Sequence, residues 1–129
     1  MENTKYEVIS NKPFAETVNG LIKSLEDYHF SVMWQLNFKD KLKEKGIYFD
    51  SHFMILEVCN PQKAKEVLTR HVDAGYFLPC KVVVYEDKGT VKVGMMKPEF
   101  LLGMLGYADL QNIAKEVQTS MIAAIDSLK

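Results

Sequence analysis

The sequence predicts an α+β domain: an antiparallel-rich sheet with two long helices packed on one face. Three observations carry this. Helical periodicity marks both ends of the chain, at residues 13–29 and from Asp109 onward. Between them run strand-like apolar segments, two of which are joined by the turn Asp87-Lys88-Gly89. The resulting order, β-α-β-short helix-β-α-β-β-α, lacks the regular alternation of a parallel sheet.

Each element has its own signal. Tyr6, Val8 and Ile9 suggest a short first strand. Pro13 suits a helix start, where its missing N–H leaves nothing unpaired. Phe14, Val18, Leu21, Leu25 and Tyr28 follow at helical spacing. Gly20 lies within that helix and suggests a close approach to the sheet, although slack explains it equally well. Val32, Trp34, Leu36 and Phe38 alternate with polar or smaller neighbours, which predicts a strand with one apolar face. KDKLKEKG (39–46) reads as a short charged helix ending at Gly46. Residues 53–58 are apolar on both faces and read as a central strand. Asn60 and Pro61 supply an N-cap and a first helical residue. The helix they open carries Ala64, Val67, Leu68 and His71 on one side and ends at Gly75. Residues 81–86 and 90–96 form the hairpin, and 98–106 an irregular or short helical segment. Asp109 is placed to cap the last helix. There Leu110, Ile113, Ala114, Val117, Met121, Ala124, Ile125 and Leu128 keep a 3–4 spacing.

A chain of 129 residues is one domain by length and long enough for a real core. With a net charge of -1 and no basic block, nucleic acid and anionic membrane are poor partners. No apolar run approaches the roughly 20 residues of a membrane span, and the first residues lack a signal-peptide layout. The chain reads as cytoplasmic, so its two cysteines are expected to be reduced thiols.

Those cysteines, Cys59 and Cys80, are the first chemical candidates. If the strands that carry them are antiparallel neighbours, both sit at one edge of the sheet. A redox pair would use a low-pKa thiolate resolved by the second thiol. The helix that starts beside Cys59 would favour that thiolate. The spacing is not that of a zinc finger, and two thiolates do not complete a zinc site. A copper(I) or zinc site would need Met95, Met96, His52 or His71 as well. The bland alternative is two small residues in tight corners. Glu57 is the odd residue in its strand, on the face of Phe53, Ile55 and Cys59 by period two. It must be paired, exposed or shifted in pKa, with Lys81 or Lys92 as a partner. Asn60 needs no role beyond capping. His71 reads as a hydrogen-bonded, partly buried histidine. There is no G-x-G-x-x-G, no P-loop and no nucleophile-base grouping, so no cofactor is specified. GMMKPEFLLGMLGY (94–107) either flanks a small-ligand pocket or serves as a packed loop closing the sheet or as a dimer contact.

The motifs CNP (59–61) with Ala64, LPCKVVVYE (78–86), KLKEKG (41–46) and Pro98 together resemble the domain of unknown function 302 (DUF302) family. The resemblance covers nearly the whole chain and points to its cysteine-containing branch. It implies a TATA-binding-protein-like fold with a curved sheet, and small cytoplasmic proteins that pair as homodimers. It implies no activity. Glu57 and Val58 depart from the small residues that branch tends to have, and Lys81 departs from its Asn. The resemblance therefore does not carry an open pocket beside Cys59. The leading functional expectation is a homodimeric binding or accessory protein. Its rivals are a thiol redox or soft-metal protein using Cys59 and Cys80, and an enzyme using Glu57 and Cys59.

Overall fold

The computed structural model describes residues 4–129. The chain runs β1 (Lys5–Ile9), α1 (Phe14–Asp27), β2 (Ser31–Asn37), α2 (Phe38–Glu44), β3 (Phe53–Cys59), α3 (Pro61–Arg70), β4 (Cys80–Asp87), β5 (Thr90–Met96), α4 (Pro98–Gly103) and α5 (Gln111–Asp126). Short 3-10 turns cover Val72–Phe77 and Ala108–Leu110. The strands form one antiparallel sheet in the order β1-β5-β4-β3-β2. The α+β prediction is met, and β3 is an interior strand, although β4 holds the middle.

Alternation along the strands divides the sheet into two unlike faces. Val8, Leu56, Val58, Val82, Val84 and Val93 point inward and are buried against Leu21 and Leu25 of α1 and Met121 and Ile125 of α5. The outer face carries Phe53, Ile55 and Glu57 of β3 and Lys81, Val83 and Tyr85 of β4. Helix α2 lies at one side of this face, where Phe38 meets Phe53 edge-on at 5.9 Å. A smaller core cluster joins Val67 of α3, Ala74, Leu102 of α4 and Leu110, Ile113 and Ala114 near the start of α5. Val117 packs on both clusters.

Several elements start and stop where the sequence indicates. Asn37 caps α2 by accepting the Asp40 N–H at 3.1 Å, and Gly46 follows with φ 75°. Lys88 and Gly89 both take positive φ, which makes the β4–β5 connection a tight two-residue turn. No described helix is long and apolar enough to cross a membrane.

Other expectations need correction. Val32, Trp34, Leu36 and Phe38 do not share a face. Val32 pairs with Val58 and Trp34 with Glu57, so Met33 is an extra, bulged residue. The bulge keeps Val32 on the core and turns Trp34 and Leu36 outward. Helix α3 ends at Arg70, not Gly75, because His71 adopts an extended conformation (φ -147°) and opens the 3-10 turn. Asp109 does not cap the last helix. Leu110 occupies the N-cap without a side-chain bond, and Asp109 turns back to His71 and Arg70. Gly20 marks a close approach, but to α5's end: a Cβ there would lie 3.1 Å from Leu128 Cδ1. The Leu78-Pro79 bond, for which the sequence gives no sign, is cis.

Candidate ligand-binding site

The geometry of the site begins with the register between β3 and β4. Glu57 stands opposite Lys81, and Val58 opposite Cys80. Cys59, one residue on, stands opposite Ser31 of β2. Alternation then projects Cys80 inward with Val58 and Cys59 outward with Glu57. The two cysteines do share an edge of the sheet, as predicted, but the expected close pair is not formed. Both are free thiols. The reason is parity: the register places residue 58, not 59, against residue 80.

The thiols also lack the expected activation. Burial pushes the Cys59 thiol above its ordinary value. Burial pushes Cys80 further, to about 11, helped by the nearby Cys59 and Glu57 charges. Desolvation outweighs any help from the start of α3. There, as predicted, Asn60 Oδ1 accepts the Lys63 N–H at 3.2 Å and Pro61 begins the helix. Met95 and Met96 border the same cavity as the cysteines but from opposite faces of β5. Met95 is buried in the core, whereas Met96 lies on the other face. Among the described residues, no three His, Cys, Asp or Glu side chains converge as a metal site.

A cavity of about 700 Å³ borders Cys59, Glu57, Asn60 and Cys80. The larger side chains at 57, 58 and 81 therefore do not close the space beside Cys59. On the sheet it is lined by Phe53, Glu57, Lys81, Val83 and Tyr85 of the outer face and also by Val58, Cys80 and Met95 of the inner face. Helix residues that border it are Ala64 and Val67 of α3, Leu101 and Leu102 of α4, and Ile113 and Val117 of α5. The corner Tyr76-Phe77-Leu78-Pro79 borders it as well. In the 94–107 segment, Met96, Pro98 and Leu101 border the cavity, and Leu102 both borders it and packs in the smaller core.

Most polar groups around this cavity are already engaged. Tyr85 donates its hydroxyl to Glu7, and burial with this bond raises the phenol to about 12. Lys63 pairs with Glu116. Glu57 and Lys81, although direct cross-strand partners, have no side-chain ion-pair or hydrogen-bond partner among the described residues. Glu57 is half-buried and Lys81 exposed.

The corner wall is held from outside. The His71 ring stacks on Tyr107 with centroids 3.6 Å apart, and its Nε2 lies 2.8 Å from Asp109 Oδ1. Tyr107 donates its hydroxyl to Asp73 Oδ2 at 2.7 Å. These contacts tie the start of the 3-10 turn after α3 to the segment that enters α5.

Sequence reasoning did not identify Phe53, Val83, Tyr85 or residues 76–79 as cavity walls. Only Gly94 carried a usable signal. An isolated glycine within a strand pattern marks close backbone approach. A Cβ at Gly94 would lie 3.0 Å from the Tyr6 carbonyl oxygen on β1.

Comparison with known proteins places this architecture. The family model described as "Domain of unknown function DUF302" matches residues 6–128. The crystal structure of an uncharacterized conserved DUF302 protein from Bacillus stearothermophilus is similar at 42% identity. It covers 98% of each chain with a TM-score of 0.94. No curated protein matches. A family model over nearly the whole chain and a fold this similar agree, and the chain belongs to the DUF302 family.

Proposed function

We propose that this protein is a small binding protein that holds a largely apolar ligand in the cavity beside Cys59, and that it works as a cytoplasmic homodimer. The cavity carries the reading. Its size falls within the usual range for small-molecule sites, and its walls are mostly aliphatic and aromatic with few polar groups. Sheet strands and three helices all contribute lining residues, so the site is framed by regular elements.

Two unpaired thiols agree with a reducing compartment. Exposed apolar residues support self-association. On and beside edge strand β2, Met33 is 61% and Trp34 52% exposed, and Tyr48 in the loop after α2 is 82% exposed. Light scattering tests the dimer; a monomer across all concentrations would remove that part.

The test of binding uses the neutral fluorescent probe N-phenyl-1-naphthylamine. Saturable binding of one probe per chain is expected. Ala64→Phe or Leu101→Trp, each filling the cavity from a helix wall, should weaken it at least about tenfold. Thermal melting identifies which of the two variants folds normally. Absence of saturable binding, or binding unchanged in a folded filled variant, would sink the reading.

A further inference from the structure

We infer that the cavity selects an apolar molecule with a compact zwitterionic head, its cation read by Glu57 and its anion by Lys81. This rests on the binding reading above and names the ligand class for the same site. Three observations converge on it. First, Glu57 and Lys81 are direct partners in register on β3 and β4 and both border the cavity. Cross-strand partners hold their Cβ atoms roughly 4.5–5.5 Å apart. That spacing suits a head whose opposite charges are separated by few bonds. Second, the other charged groups on the rim have partners within the fold: Glu7 takes the Tyr85 hydroxyl and lies 4.0 Å from Lys5, and Lys63 meets Glu116. Glu57 and Lys81 have none among the described residues. Third, most other residues that border the cavity are apolar, among them Phe53, Val83 and Tyr85 on the sheet and Leu101 and Val117 on the helices. An apolar body is buried there while the head meets one acid and one base.

The adjacent opposite charges also reject the simpler heads. A carboxylate alone lies against Glu57, and an ammonium alone lies against Lys81. Each repulsion opposes the gain from the other residue. A zwitterion has no such conflict.

The test is a matched series with one ten-carbon body: decanol, decanoate, decylammonium and 2-aminodecanoate, each below its micelle concentration, by calorimetry. Wild-type protein should bind 2-aminodecanoate about tenfold or more tighter than either singly charged compound. Glu57→Gln should weaken 2-aminodecanoate and strengthen decanoate. Lys81→Gln should weaken 2-aminodecanoate and strengthen decylammonium. Thermal melts show that both variants fold, and either folded variant suffices. Decylphosphocholine separates the two sources of such a head. Affinity equal to 2-aminodecanoate assigns a lipid-type headgroup, and much weaker affinity assigns an amino-acid-type zwitterion. Decanol binding without discrimination among heads would overturn this inference and leave the binding reading standing. Failure of decanol itself to bind would overturn both.

Discussion

His71 lies flat on Tyr107 while its Nε2 meets Asp109 Oδ1 at 2.8 Å, so one histidine joins the end of α3 to the entry of α5. The hydrogen bond from His71 holds the Asp109 carboxyl below its ordinary value, with Arg70 adding to it. A carboxyl depressed in the folded state contributes stability above its unfolded pKa and loses it as pH falls through the folded value. The difference in Tm between wild type and Asp109→Asn should thus be present at neutral pH. It should shrink below about pH 4, the unfolded value of an aspartate. Because Asp109 is exposed, the effect should be small. A difference that grows on acidification would contradict the assignment.

The two thiols should be poor nucleophiles at neutral pH. Burial raises both, so alkylation of the folded protein should be slow and should accelerate as pH rises. Cys59 should react before Cys80, followed by peptide mass spectrometry. Oxidant should form no Cys59–Cys80 disulfide. Rapid formation of that bond would refute the opposite-face placement.

Cys80 also predicts an alkaline loss of stability. Its folded thiol, at about 11, lies above the unfolded value of about 8.5. A raised group supports the fold below its unfolded pKa, and this support fades as pH rises through the folded one. Between about pH 8.5 and 11, wild type should lose stability faster than Cys80→Ala. Cys80→Ala itself should cost on the order of 1 kcal/mol at neutral pH, from lost apolar contact at the core edge. Denaturant melts across this range give the comparison.

Met33 should be dispensable in a way its neighbours are not. Register runs from Val32↔Val58 directly to Trp34↔Glu57. Deleting Met33 keeps every other β2 residue on its present face. Deleting Gln35 instead either moves Val32 off the core or, with the bulge absorbed, turns the exposed Trp34 onto the core face opposite Leu56, and either change should cost about 1–3 kcal/mol. Chemical denaturation should rank the Met33 deletion well above the Gln35 deletion. The reverse order would argue against the bulge.

Gly20 sets two opposing effects against each other. Alanine in a helix interior gains about 1 kcal/mol over glycine. Its Cβ, however, would sit 3.1 Å from a methyl of buried Leu128. That methyl ends a flexible side chain, so Gly20→Ala should stabilise, but by less than the full helix gain. Gly20→Leu overpacks the same contact and should destabilise by about 1–3 kcal/mol. Equal stability of the two variants would show that α1 and α5 are not closely packed there.

The elements were legible where a local physical signal exists. Asn60-Pro61 begins a helix because the cap bond and the missing N–H are properties of those two residues. The 3–4 spacing from Leu110 to Leu128 found α5's buried stripe, and alternation found Glu57's face. The errors arose where tertiary contact overrode a local signal. Asp109 has cap chemistry, but His71 and Arg70 approach it from α3 and take the carboxylate. Val32 and Trp34 obey period two in sequence, and a bulge against β3 breaks it in space.

By itself, the sequence determined the α+β class, the strand and helix order, the capped start of α3, and the shared edge for Cys59 and Cys80. Periodicity, caps and turns are short-range, and each can be read within one segment. Only the tertiary structure decided which side of the sheet each thiol occupies, and that a cavity exists between β3–β4 and the ends of three helices. Both depend on pairing register and on the approach of distant segments. A shift of one residue in register reverses a side chain's face, and no local pattern near Cys59 records that choice.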